Sequence, residues 1–282
     1  MKNLTSEVRQ YAKTLGARLV GIATVERLSG APRGHRAEDF LSGARSVLVL
    51  GLPVLPTYAR YPEFLADSEK VPETVIRRGS NNSEEHFSPR LAIANHVYRR
   101  CGYEFLNMEL QRLSLYTALF LQEKGHESIY MPTAYGATFT WDMSYPRPNS
   151  MGPFSARHAA VAAGLGQLGL NNLLLTPQYG PLQRIVAIIT AAPLEPDPLL
   201  DRQLCLGEQC GRCRKECPKD CFSEDIETYT VAGTETRVFR MDKGRCGQSH
   251  SPLSKRCIRQ CFLKCPLIKC GVAAKADNCG TH

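Results

Sequence analysis

The sequence predicts an α+β protein in two parts: a mixed helix-and-strand unit over residues 1–200 and a smaller cysteine-rich unit over residues 201–282. Three observations carry this reading. Eleven of the twelve cysteines fall between Cys205 and Cys279. Ahead of them, helix-period segments alternate with short strand-like runs such as Ser46–Pro53 (SVLVLGLP). A proline-rich run, Ala191–Asp201 (AAPLEPDPLLD), marks the boundary between the parts. With 282 residues, 43% of them hydrophobic, the chain can bury a sizeable core in one large domain or two unequal ones.

Residues 4–16 carry apolar side chains at helical spacing (Leu4, Val8, Tyr11, Ala12, Leu15) and close on Gly16. A strand is predicted over 17–22, a helix over 36–44 and a buried strand over 46–53. Residues 54–88, rich in Pro, Tyr, Arg and Asn, read as a long loop of the kind that lines a cofactor. A long helix is predicted over 89–124, stopped by Gly125, and a short strand over 128–131. Residues 133–153 form a second irregular stretch and hold the only tryptophan, Trp141. A helix over 155–163 follows, then strands over 171–176 and 184–190 across the turn Pro177–Pro181.

No stretch approaches the length of a membrane span, and the N-terminus shows no apolar leader and no twin arginine, so the expected setting is cytoplasmic. The net charge of +8 invites a nucleic-acid partner. Residues 201–282 hold 15 Lys and Arg against 10 Asp and Glu, a net of +5, which leaves +3 for the rest.

The cysteines fall into two groups. The first reads Cys205-x4-Cys210-x2-Cys213-x3-Cys217-Pro218, and the second reads Cys246, then Cys257-x3-Cys261-x3-Cys265-Pro266. Both close on Cys-x3-Cys-Pro, the ending of the bacterial ferredoxin run that holds two [4Fe-4S] clusters. In that run the Cys before Pro has left its own turn and ligates the other cluster. One cluster then takes Cys205, Cys210, Cys213 and Cys265, and the other takes Cys217, Cys246, Cys257 and Cys261. The x4 and x3 gaps depart from the ferredoxin spacing, so Cys221, Cys270 and Cys279 are candidates to replace Cys205, Cys246 or Cys257. A disulfide framework belongs to small secreted chains, and zinc is the closer rival. Two Cys-x3-Cys-Pro endings favour clusters. Two clusters would add about four negative charges, which nearly neutralises the basic excess of this segment and weakens the case for nucleic acid.

Gly164-Leu165-Gly166-Gln167-Leu168-Gly169 matches the G-x-G-x-x-G string, but a helix precedes it and a strand follows, the reverse of a dinucleotide site. These glycines either approach a bulky ligand or turn the helix into the strand.

The stretch Arg157-His158-Ala159-Ala160, then Gly164–Asn171, Leu175–Pro181 and Pro193–Asp197, resembles the corrinoid and iron–sulfur family of epoxyqueuosine reductases and reductive dehalogenases. The opening Leu15-Gly16-x3-Val20-Gly21-Ile22 and the strand at 46–53 are similar to an epoxyqueuosine reductase as well. The resemblance implies a nitroreductase-like core holding base-off cobalamin, followed by a ferredoxin-like domain with two [4Fe-4S] clusters that deliver electrons to cobalt. It places His158, Gly164, Gly166, Gly169, Asn171, Thr176, Tyr179 and Gly180 at the cofactor. It also implies a low-potential donor such as ferredoxin or flavodoxin, and a corrinoid or small-molecule substrate.

The chain departs from the family at several points. Met131-Pro132-Thr133 stands where epoxyqueuosine reductases carry Val-Asp-Thr with a catalytic Asp, and Asp142 lies in no matching context. Leu170 stands where a Lys is expected, and the chain ends 17 residues after Cys265, without the repeats that grip tRNA in that family. Tyr135 and Tyr145 are the available proton donors of the dehalogenase kind. The expectation is a cobalamin reductase or cobalamin-dependent reductase. The alternatives are a cluster-only electron carrier and an epoxyqueuosine reductase with an altered acid.

Overall fold

A computed structural model describes residues 2–57, 74–78, 83–87, 97–133, 153–217, 219–248 and 260–270. Its centre is a four-stranded antiparallel sheet of β1 (Leu19–Thr24), β2 (Ser46–Pro53), β8 (Gln183–Thr190) and β5 (Ser128–Tyr130), adjacent in that order. β2 is an uninterrupted apolar run because both of its faces are covered. Val47 and Val49, with Ala187 and Ile189 across the ladder, face α4 (Ala156–Ala162). Leu48 and Leu50, with Val186 and Ile188, face α1 (Lys2–Thr14) and α3 (Phe105–Glu123). Leu48, Leu50 and Ile188 are fully buried, each worth roughly 1.5–3 kcal/mol of apolar transfer. The result is a helix–sheet–helix sandwich.

α1 ends where Gly16 takes φ +117°, and α3 ends before Gly125 at φ +84°. α2 is a single turn, Ala37–Phe40, shorter than the predicted helix. A π-helical segment, Tyr98–Glu104, leads into α3, so the predicted long helix changes its winding where Gly102 sits. A hairpin of β3 (Thr74–Arg78) and β4 (Ser83–Phe87) lies within the predicted 54–88 loop. The rest of that loop, and residues 134–152 with Trp141, Asp142, Tyr135 and Tyr145, lie outside the described residues. The predicted strand over 171–176 is only β7 (Leu174–Leu175), paired with β6 (Gln167–Leu168).

The proline-rich run is pinned to the core. Ser46 Oγ donates to Ala192 O at 2.8 Å and accepts from Leu194 N–H at 3.0 Å. Glu195 N–H donates to Thr5 Oγ1 at 2.9 Å. Asp197 accepts Arg9 Nη2 on both carboxylate oxygens, at 2.8 and 2.9 Å, and Ile22 N–H at 2.9 Å. Arg27 Nη1 binds both Asp197 O and Ala162 O.

Beyond it come α5 (Arg212–Lys215), the hairpin β9 (Phe222–Val231) and β10 (Thr234–Met241), α6 (Lys243–Gln248), α7 (Gln260–Leu263) and a 3-10 turn, Pro266–Cys270. Ala232 and Gly233, both at positive φ, make the two-residue turn of the hairpin. Val231 and Val238 join the apolar cluster over α4, and Phe239 N–H donates to Leu170 O at 2.8 Å. No helix among the described residues is long and apolar enough to cross a membrane.

Candidate functional site

The first cysteine group is shaped by two glycines. Gly207 (φ +77°) and Gly211 (φ +50°) turn the backbone on either side of Cys210, and Gly211 starts α5, which carries Cys213. α5 packs beside α7, and Cys265 follows α7 at the Pro266 turn. Cys205, Cys210, Cys213 and Cys265 lie within electrostatic reach of one another. Burial, and then the neighbouring Cys205 and Cys210, push the Cys213 thiol up to about 11. Cys265 is pushed up to about 12, mainly by burial and then by Cys205, Cys213 and Cys210, with the Leu267 N–H acting the other way. Cys213 and Cys265 are thus held from ionising by burial and by their thiol neighbours, a hindrance that a cationic core would relieve. They are drawn from both sequence groups.

The second group gathers around Cys217, which is buried at 8% exposure. Cys217, Cys221, Cys246 and Cys261 share an apolar cluster with Leu170, Phe222 and Phe239, which Cys205 and Cys213 of the first group also touch. Cys221 N–H donates to Cys217 Sγ at 3.4 Å, across a turn in which Asp220 takes φ +45°. Cys246 on α6 is tied to Cys221 through Asp242: Cys246 N–H donates to Asp242 O, and Asp242 N–H to Cys221 O. Cys257 and Cys279 lie outside the described residues, and Cys270 ends the 3-10 turn. Among the described residues, no three His, Cys, Asp or Glu side chains converge tightly enough to hold a single metal ion.

The glycines of the middle motif serve the chain's own packing. A Cβ on Gly164 (φ +69°) would meet Pro198 O at 2.0 Å, and one on Gly180 (φ +54°) would meet Leu267 O at 2.3 Å. Gly169 packs on the Leu175 side chain. Gly166 admits Leu175 O so closely that no side chain fits. Asn171 Nδ2 donates to Cys261 O at 2.9 Å, and its Oδ1 accepts Leu173 N–H. Thr176 Oγ1 accepts Tyr179 N–H and donates to Gln183 Oε1. His158 Nε2 lies 3.4 Å from Tyr229 Oη, with the rings edge to face. Burial, then the Arg157 charge, hold His158 down to about 4, so it is neutral near pH 7. These residues join core to cysteine segment: Gly180 meets the backbone two residues past Cys265, and Asn171 grips that of Cys261.

Leu170 is buried against the second cysteine group, so a lysine there would bring its charge into an apolar cluster. Met131 is buried with its N–H on Ala187 O, and Pro132 follows, exposed. Two features went unread in the sequence. Gln167 Oε1 accepts Leu204 N–H and steers the chain into Cys205. Arg184 stacks over Tyr103 and donates to Asn107 Oδ1, leaving Asn107 Nδ2 buried without a partner.

The fold is shared with epoxyqueuosine reductases and reductive dehalogenases. The structure of an epoxyqueuosine reductase with an epoxyqueuosine-modified tRNA stem loop superposes with a TM-score of 0.57 at 19% identity, covering 95% of this chain and 66% of that one. A reductive dehalogenase whose structure suggests a mechanism for B12-dependent dehalogenation superposes with a TM-score of 0.52 at 16% identity, covering 93% of this chain and 34% of that one. In sequence, the tetrachloroethene reductive dehalogenase of Sulfurospirillum multivorans is 29% identical over 44% of this chain and 26% of its own length. The epoxyqueuosine reductase of Listeria monocytogenes is 43% identical over 24% of this chain and 17% of its own length. The matched stretches thus span about a quarter or less of these relatives. No family model matches the chain.

Proposed function

We propose that this chain is a cytoplasmic iron–sulfur oxidoreductase. It holds one [4Fe-4S] cluster on Cys205, Cys210, Cys213 and Cys265 and another on Cys217, Cys246, Cys257 and Cys261, in a ferredoxin-like domain over residues 201–282. The nitroreductase-like unit over residues 1–200 takes a base-off cobalamin, and the chain acts as a cobalamin reductase or a cobalamin-dependent reductase. The carrying observation is that Cys205 and the distant Cys265 pack on one apolar cluster, while α5 with Cys213 packs beside α7, which Cys265 follows.

The cysteines fit iron–sulfur clusters, being soft donors gathered half-buried among apolar side chains. The chain's own part is to exclude water with Leu170, Phe222 and Phe239 and to donate the Cys221 N–H to the Cys217 sulfur, which favours the reduced state. When bound, the clusters supply one-electron transfer at low potential.

The described residues read as corrinoid contacts, Asn171, Thr176, Gly164 and Gly180 among them, make contacts with the chain itself. That observation favours a second reading, electron transfer without a corrinoid. Anaerobic purification, with iron, sulfide, cobalt and zinc analysis and a visible spectrum before and after adding hydroxocobalamin, separates the two. About eight irons per chain with a cobalamin spectral change supports the corrinoid enzyme. Eight irons and no response leaves the electron carrier, and zinc in place of iron overturns both.

A further inference from the structure

We propose that the face built by α5 and the end of α7, carrying Arg212, Lys215 and Lys264, docks an acidic, low-potential electron-carrier protein. The proposal rests on the cluster reading above and names the surface through which electrons enter.

Among the described residues, four cations of the cysteine segment are ion-paired, while Arg202 and Lys219 share the unpaired state of the three named above. The paired four lie towards the hairpin and α6: Arg214 with Glu224 at 2.8 Å, Arg237 with Glu208, Arg240 with Glu227 at 3.2 Å and Arg245 with Asp242 at 3.4 Å. Arg212, Lys215 and Lys264 are exposed and, among the described residues, take part in no ion pair. Glu216, exposed at the end of α5, is the carboxylate nearest to them in sequence.

These three cations adjoin the first thiol group along the chain. Arg212 and Lys215 flank Cys213, and Lys264 immediately precedes Cys265, on two helical turns that pack side by side. Cys205, Cys210, Cys213 and Cys265 are all half-buried, while in the second group Cys217 is buried and Cys246 and Cys261 are half-buried. All four thiols of the first group are thus part-exposed, beside cations that among the described residues take part in no ion pair. Unpaired surface cations gain little stability for the fold, but they steer an oppositely charged partner and set its docking rate. Three cations without an aromatic platform make a short track for a nucleic-acid backbone, which takes a longer basic groove with stacking side chains. In the step itself the reduced carrier loses one electron and the cluster on Cys205, Cys210, Cys213 and Cys265 gains it. No bond breaks and no proton transfer is required.

The test uses the anaerobically purified full chain, mixed rapidly with the hydroquinone of an acidic bacterial flavodoxin while the visible cluster absorbance is followed. Three proteins are compared: wild type, Lys215→Glu with Lys264→Glu, and the charge-matched control Lys13→Glu with Arg18→Glu on the core. The docking variant is expected to lose about tenfold or more in second-order rate constant, with the control within about twofold of wild type. The wild-type rate is expected to fall as salt is raised. Titanium(III) citrate, which needs no docking, is expected to bleach all three alike. Equal flavodoxin rates in docking variant and control would overturn the proposal. So would a docking variant that loses only its affinity for a tRNA stem loop, which would assign the face to nucleic acid. Failure of titanium(III) to bleach any of the three would overturn the cluster reading itself, and the docking face with it.

Discussion

At the scale of single residues, the glycines carry the sharpest consequence. Gly180 sits at φ +54° with Leu267 O where its Cβ would be, so Gly180→Ala combines backbone strain with a clash. A loss of about 2–4 kcal/mol is expected in thermal unfolding, together with fewer irons per chain, because the displaced backbone adjoins Cys265. His158 offers a second test. Its folded-state pKa lies below the unfolded value of 6.5, so the unfolded chain binds the proton first as pH falls. Its contribution is full above pH 6.5 and lost as pH falls towards about 4. About 2 kcal/mol of stability should disappear across that window, after allowing for its partial exposure, and His158→Phe should flatten the dependence. Equal pH slopes in variant and wild type would sink this assignment. The role of the glycine run was not legible in the sequence. What Gly164 and Gly180 approach, Pro198 and Leu267, lies tens of residues away, and no local spacing encodes that.

At the scale of elements, what was legible was local. β2 and β8 appear as apolar runs because both faces of the sheet are covered, and α4 appears at its Ser155 cap, whose side chain accepts the His158 N–H. The β9–β10 hairpin was missed because half of it faces solvent. Glu224, Asp225, Glu227 and Glu235 break its apolar alternation, leaving the Ala232-Gly233 turn as its main signal. This hairpin separates Cys221 from Cys246 in sequence and brings them together in space, so the wide gap between those cysteines is bridged by an antiparallel ribbon. The cysteine groups can be dissected accordingly. Cys265→Ala is expected to reduce iron from about eight to about four per chain while the remaining cluster keeps its paramagnetic signal on reduction. Loss of all iron would show instead that the two groups assemble as one unit.

At the scale of the whole molecule, core and cysteine segment interlock. Asn171 grips the backbone of Cys261, Phe239 bonds Leu170, and Gly180 admits Leu267. Removing iron with a chelator under mild oxidation is therefore expected to lower the unfolding midpoint of the core as well as of the cysteine segment, read by far-ultraviolet dichroism as one transition. Two separated transitions would indicate independent units. The proline-rich run was legible as a composition change but not as a structural strap. Its anchors, Arg9 and Ile22 on Asp197 and Thr5 on Glu195, come from the opposite end of the chain.

The strap has a kinetic meaning. A segment clasped at Ser46, Thr5, Arg9, Ile22 and Arg27 is no tether on which a reducing module swings towards and away from its acceptor. On the proposed cluster reading, an electron passing from the clusters to an acceptor held by the core would then cross by tunnelling, with no search over orientations. The rate of that internal hop should be indifferent to solvent viscosity, and adding glycerol should slow only the encounter with the donor.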